Sequence, residues 1–218
     1  MDTGNSRISK RRLNAQNSGQ QEYLERRNLV LQTAAAIFKE KGYRAASVNA
    51  VAEAVGIDRA SLYYYASGKE ELFREVIHEA ILSNVLMVES IQRGPGTPAA
   101  KVEQFIVSLM ASYEVHYPYL YVYVQEDMAQ VTKKRSRWAN DLSRLTKRFN
   151  GAVVSIIQSG LDDGSFRKEN GSARLIAAGI IGMCNWSHRW FKPGSGLSAE
   201  SIGKSFANLI LKGLTHES

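Results

Sequence analysis

The chain has 218 residues, 44% of them hydrophobic and 22% charged, with a net charge of +7, one cysteine and four histidines. That composition excludes wholesale disorder, and a lone Cys184 excludes an internal disulfide framework or a multi-cysteine metal cluster. The histidines (His78, His116, His188, His216) lack metal-ligand spacing, the apolar run Leu175–Cys184 is about half of what spans a bilayer, and the polar, basic N-terminus is no secretory leader; a cytoplasmic protein without metal, cofactor or membrane is expected.

Residues 1–21 are polar, carry Arg7, Lys10, Arg11 and Arg12, and predict a flexible basic arm. After the arm the pattern is helical throughout. A first helix is expected over about Tyr23–Lys41, with Val30, Ala34, Ile37 and Phe38 on one face and Gly42 as its stop. A second covers about Ser47–Val55, with Ser47 as N-cap and Val48, Val51, Ala52 and Val55 at helical spacing. A third covers about Asp58–Tyr65, capped by Asp58, and a fourth runs from near Lys69 towards Ile91. The Arg93-Gly-Pro-Gly-Thr-Pro98 segment is the clearest loop signal. Beyond it a fifth helix (Ala99–Val115), a sixth (Pro118–Val131), a seventh (Ser136–Gly160), an eighth (Ser172–Phe191) and a ninth (Ser198–Leu214) follow. The fold class is all-α, with about nine helices. Charge is uneven: the stretch 133–148 gathers Lys133, Lys134, Arg135, Arg137, Arg144, Lys147 and Arg148 against Asp141 alone.

The informative stretch is Ser47–Lys69, SVNAVAEAVGIDRASLYYYASGK. Two short helices flank a turn at Gly56, whose missing Cβ suits a sharp reversal. Small Ala52 lets the helices cross closely, and Ile57 and Leu62 face inward. That leaves Arg59, Ala60, Ser61, Tyr63 and Tyr64 outward, where such a helix can enter a major groove about 12 Å wide. The spacing alone also fits an ordinary helical hairpin within a core.

Residues 26–73 resemble the DNA-binding domain of the TetR family of bacterial transcription regulators. The resemblance rests on Ala34–Ala36, Ile37-Phe38, Glu40 and Gly42-Tyr43; on Ser47-Val48, Val51-Ala52 and Val55-Gly56-Ile57; and on Ala60-Ser61-Leu62-Tyr63-Tyr64-Tyr65 and Lys69-Glu70-Glu71-Leu72. Tyr65 stands where the family commonly has His, Ala66 where it has a larger apolar residue, and Gly68 where it has Ser. The resemblance implies an arm over 1–21, a helix-turn-helix domain over 22–72 and a ligand-binding and dimerising domain over 73–218. It implies DNA contacts from Arg44, Ser47, Arg59, Ala60, Ser61, Tyr63, Tyr64, Tyr65 and Lys69. Arg59 is the reader of a guanine, since its guanidinium matches O6 and N7. Ser47 and Lys69 are placed as phosphate ligands at helix N-termini.

For the second domain the resemblance implies a ligand pocket, and the residues expected to line it are Phe105, Leu109, Tyr113, Tyr121, Val124, Met128, Phe149, Val153 and Trp186. The Tyr- and His-rich run from Tyr113 to Tyr123 needs polar partners that a dry core lacks. The homodimer is expected on the eighth and ninth helices through Ile176, Ile180, Met183, Trp190, Ile202, Phe206, Leu209 and Ile210, with Gly179 and Gly182 allowing close approach, and the operator as an inverted repeat. Ser187-His188-Arg189-Trp190-Phe191-Lys192-Pro193-Gly194 resembles a sub-branch controlling steroid-ring and fatty-acid breakdown. That likeness implies a repressor released by an acyl- or steroid-derived coenzyme A thioester, with the basic cluster around Arg144 suiting its phosphates; the alternative is a regulator sensing another hydrophobic or aromatic compound. H-E-x-x-H, G-x-S-x-G and G-x-G-x-x-G do not occur, so no catalytic residues are assigned.

Overall fold

The computed structural model describes residues 4–117, 120 and 137–215, with 4–18, 137 and 139 described by backbone alone. Among these residues there are eight α-helices, two 3-10 turns and no strand. The helices are α1 (Gly4–Ala45), α2 (Val48–Val55), α3 (Arg59–Leu62), α4 (Lys69–Arg93), α5 (Pro98–Val115), α6 (Arg137–Asp162), α7 (Ala173–Trp186) and α8 (Ala199–Leu214). The architecture is all-α as expected; the helix expected over 118–131 lies outside the described residues.

Two expectations are corrected. The backbone is helical from Gly4, where a flexible basic arm was expected over 1–21. No proline interrupts this stretch, Arg, Lys, Gln, Glu, Leu and Ala favour helix, and Gly19 alone costs only about 1 kcal/mol. The third helix ends at Leu62 rather than Tyr65, because the chain tightens there: Tyr64 N–H bonds Ser61 C=O at 3.2 Å and Tyr65 N–H bonds Leu62 C=O at 2.9 Å. Such three-residue bonds are the usual way a helix end uses its spare groups.

The chain divides into two compact units between Val76 and Ile77, four positions past the expected 72/73, because α4 passes the boundary without a break. In the first unit Val30, Ala34, Ile37 and Phe38 of α1 are buried as their spacing predicts, together with Val51, Ala52, Leu62, Ala66 and Leu72. Gly42 interrupts α1 at φ 75°, and the Phe38, Tyr43 and Phe73 rings cluster behind it, with 4.4 Å between the last two. Gly56 closes α2 in the left-handed conformation, at φ 76°. Ile57 N–H reaches Ala52 C=O at 3.0 Å and Gly56 N–H reaches Glu53 C=O at 3.1 Å, the paired bonds of a Schellman end.

In the second unit α5 packs against α6, α7 and α8, α8 most extensively. Phe105, Ile106, Leu109, Met110, Leu142, Leu145, Val153, Ile157, Ile180, Cys184, Phe191 and Ile202 form its core. Burial pushes the Cys184 thiol up to about 12, so it stays protonated and serves as a small apolar group. Gly203 is buried, and a Cβ there would meet the Val107 backbone at 2.8 Å. Only glycine lets α8 approach α5 this closely. Gly203→Ala is therefore expected to destabilise the fold by about 1–2 kcal/mol, overpacking outweighing the helical gain of alanine. The check is a melting midpoint several degrees below that of Gly151→Ala, whose new Cβ meets nothing within 4 Å.

Candidate nucleic-acid interface and ligand cavity

The helix-turn-helix is positioned by its caps. Ser47 Oγ accepts from Ala50 N–H at 3.1 Å and starts α2. Asp58 starts α3 with both carboxylate oxygens: Ser61 N–H donates to Oδ1 at 2.9 Å and the Ser61 hydroxyl to Oδ2 at 2.6 Å. These two bonds hold the Asp58 carboxyl below its ordinary range. Gly68 leaves α4 without a capping side chain, and Glu71 compensates by accepting from Ser67 N–H at 2.6 Å. Ser61 thus spends its proton on the cap, while its oxygen faces solvent with Ala60.

Leu62 is fully buried, so Arg59, Ala60, Ser61, Tyr63 and Tyr64 are exposed, as the helix-turn-helix reading requires. Arg44 and Ser47 are exposed as well. Arg59 donates from Nε and Nη2 to the Tyr63 hydroxyl at 3.3 and 3.0 Å. Tyr65 is half-buried and stacks on Tyr23 with 5.5 Å between centroids, and Tyr64 meets Tyr23 edge-on. The Tyr65 ring therefore packs on α1.

Lys69 is the sharpest correction. Its ammonium donates to the backbone carbonyls of Tyr43 at 2.9 Å, Arg44 at 3.2 Å and Ala46 at 3.0 Å, and it lies 4.6 Å from the Tyr43 ring centre. Three protons meet three acceptors, which leaves none for a phosphate. The resemblance placed it as a phosphate ligand at a helix N-terminus, with no view of the α1 end folded beside it. Lys69→Met is expected to lower unfolding stability by about 1–2 kcal/mol in urea titration, while the salt slope of DNA binding stays at the wild-type value. A phosphate ligand would instead reduce that slope by about one.

In the second unit a cavity of about 350 Å³ is lined by Ile81, Asn84, Leu109, Tyr113, Leu120, Thr146, Phe149, Asn150, Ile181 and Asn185. Leu109, Tyr113 and Phe149 are where the sequence expected them. Phe105 and Val153 sit in the core behind the wall; Phe105 touches the Phe149 ring at 5.7 Å. Trp186 is 60% exposed and turns outward, because Ile181 and Asn185, one helical turn apart, take the inward face of α7. The Arg189 guanidinium lies 5.1 Å from its ring. Tyr121, Val124 and Met128 lie outside the described residues, as do Lys133, Lys134 and Arg135. The lining residues missed are the apolar Ile81, Leu120 and Ile181 and the polar Asn84, Thr146, Asn150 and Asn185. Asn84 is 8% exposed, and Asn185 accepts a hydrogen bond from the Tyr113 hydroxyl. The signal of these two was a polar residue at helical spacing inside an apolar stripe.

Asn150, Ile181 and Asn185 also border an open groove of about 870 Å³ between α6 and α7, whose rim carries Lys147 and Arg174. Next to Lys147, Arg148 forms a two-point ion pair with Glu89 of α4 at 2.8 and 2.9 Å, which holds Glu89 below its ordinary range. Of the expected dimer residues, Ile180 and Ile202 are 1% and 5% exposed and serve this chain's own core, because they point towards α5. Ile176, Met183, Phe206 and Ile210 are half-buried, and Leu209 and Trp190 are exposed. Leu175 is 65% exposed.

Among the described residues no helix is long and apolar enough to cross a membrane. Residues 30–76 match the model of bacterial regulatory proteins of the tetR family, and residues 95–214 match that of the tetracyclin repressor-like C-terminal domain. The chain is 26% identical over 192 residues to the HTH-type transcriptional repressor KstR2 of Mycobacterium tuberculosis, covering 88% of this chain and 94% of the relative. It is 29% identical to KstR2 of Mycolicibacterium smegmatis, covering 87% and 91%. The solved structure of the Mycobacterium tuberculosis ketosteroid transcriptional regulator KstR2 superposes with a TM-score of 0.74 at 25% identity, covering 88% of this chain and 96% of that one. AibR, solved with isovaleryl coenzyme A and operator DNA, superposes at 0.68 with 18% identity, covering 84% and 97%. With a matching model at each end and the expected helix-turn-helix between its caps, the chain belongs to the TetR family and is a ligand-responsive, DNA-binding transcriptional regulator.

Proposed function

We propose that the protein is a repressor that leaves its operator when an acyl- or steroid-derived coenzyme A thioester binds the second unit. The observation that carries this is the continuity between an apolar cavity and a basic groove through the shared residues Asn150, Ile181 and Asn185. Ile81, Leu109, Leu120, Phe149 and Ile181 suit an acyl or ring system, and Asn84, Thr146 and Asn185 suit its carbonyl or hydroxyl groups. Lys147 and Arg174 on the groove suit the phosphates of the carrier. The KstR2 relatives are repressors by name, and AibR was solved with a coenzyme A thioester. A second reading, a small hydrophobic or aromatic effector without a carrier, is favoured by the cavity's own 350 Å³, which lies in the usual range for small molecules. The two separate in a thermal-shift panel: coenzyme A thioesters are expected to raise the melting midpoint and Lys147→Ala to weaken that rise. A rise with uncharged aromatic compounds alone selects the second reading.

For DNA, Arg59 reads a base, with Ala60 allowing close approach, while Arg44, Ser47 and Tyr64 hold the backbone. The partner is double-stranded DNA in the form of an inverted repeat, bound by a homodimer. The dimer face is Leu175, Gly179 and Trp186 on α7 with Phe206, Leu209 and Ile210 on α8. Gly179 and Gly182 support it, since a Cβ at either meets nothing within 4 Å of this chain and glycine in a helix interior costs about 1 kcal/mol. Leu209→Glu is expected to sediment as a monomer and to lose most operator affinity; a dimer of unchanged affinity would exclude this face.

A further inference from the structure

We propose that Tyr63 is a positioning residue for base reading: its hydroxyl holds the Arg59 guanidinium so that the free end of that group is presented to a base edge. The proposal deepens the reading of Arg59 given above and rests on it. Arg59 opens α3 and Tyr63 closes it four residues on, so the two side chains share one face of the helix. The Tyr63 hydroxyl accepts from Nε and Nη2 at 3.3 and 3.0 Å, which are the two nitrogens of one side of the guanidinium. The guanidinium carbon also lies 5.6 Å from the Tyr63 ring centre. The opposite fork, formed by Nη1 and the outer N–H of Nη2, makes no hydrogen bond or ion pair among the described residues. That fork is the one that fits O6 and N7 of guanine.

The hydroxyl is itself held in place. Leu62, immediately before Tyr63, is fully buried, and the two residues after it are fastened to α1: Tyr65 stacks on Tyr23 at 5.5 Å and Tyr64 meets the same ring edge-on. The three consecutive tyrosines thus divide their roles. Tyr65 packs, Tyr64 is exposed, and Tyr63 is committed to Arg59. A phosphate-only role for Tyr63 predicts something different, because a neutral hydroxyl on the backbone adds affinity equally on every sequence. Fixing a long side chain in advance of binding is worth about two- to tenfold in the contact it makes.

The test is selection of inverted-repeat sites from a randomised duplex library by the full-length protein, with Arg59→Ala, Tyr63→Phe and the double variant alongside. Arg59→Ala is expected to erase preference at one base pair in each half-site. Tyr63→Phe is expected to weaken preference at that same pair by about two- to tenfold, to keep it elsewhere and to leave the melting midpoint in place. The double variant is expected to match Arg59→Ala, since an orienting group has no effect once its partner is gone. If Tyr63→Phe keeps the wild-type preference at that pair and loses affinity uniformly, the proposal is overturned while Arg59 remains the reader. If Arg59→Ala leaves every preference intact, the base-reading role of Arg59 fails, and the positioning role fails with it.

Discussion

The last carbonyls of a helix have no partner inside it and carry the negative end of its dipole. Past the break at Gly42, where α1 runs out, the carbonyls of Tyr43, Arg44 and Ala46 converge on one ammonium group, that of Lys69. Lys69 is the first residue of α4, a position where a cation is electrostatically unfavourable. The neighbouring helix end reverses that balance. The consequence is geometric: the end of α1 and the start of α4 are tied together, so α2, its turn and α3 form a loop closed at its base. Within that loop the Schellman end at Gly56, the Asp58 cap and the buried Leu62 leave little freedom. What remains outward is Arg59, Ala60, Ser61, Tyr63 and Tyr64. A DNA-reading surface has to be stiff before contact, because any ordering deferred to binding is subtracted from affinity.

The second unit is governed by a different constraint, the cost of placing polar groups among apolar ones. Asn84, Thr146, Asn150 and Asn185 line a cavity otherwise walled by Ile81, Leu109, Leu120, Phe149 and Ile181. Thr146 and Asn150 reach solvent, so that cost falls on Asn84, which is 8% exposed, and on half-buried Asn185. Tyr113 shows the solution, since its hydroxyl is satisfied by Asn185 on another helix. A ligand with oxygen atoms at matching places can exchange for such contacts, while its apolar body fills space that the core leaves open. Polar groups at stated points in an apolar wall give selectivity more than tightness.

The helix α4 is the covalent element common to both units, beginning at Lys69 and ending at Arg93. Its second-unit end is fastened to α6 by the two-point pair of Glu89 with Arg148, and Lys101 holds the Gln92 carbonyl at 2.8 Å. Its first-unit end carries Lys69 and the Arg27–Glu75 pair at 2.8 Å. The Arg27–Glu75 pair and the bonds of Lys69 and Lys101 are part-buried, and each ties α4 to a neighbour within its own unit. An effector alters DNA affinity by no more than its own preference between protein states.

The local elements were legible in the sequence because they depend on neighbours in the chain. Gly56 needs positive φ, Ser47 and Asp58 supply cap oxygens three residues before the N–H groups they satisfy, and Val30, Ala34, Ile37 and Phe38 follow the helical period. The all-α class and the helix-turn-helix follow from these. Solvation and pairing across distance were not legible. Lys69 and its acceptors are 23 to 26 residues apart, Tyr65 and Tyr23 are joined only in the folded unit, and Ile180 and Ile202 were indistinguishable in pattern from residues awaiting a partner chain. Periodicity says which residues of a helix share a face; it does not say what that face meets. Whether an apolar residue goes to core, cavity or surface, and whether a cation is free for a phosphate or spent on a carbonyl, depends on which other helix arrives there, and only the tertiary structure decides that.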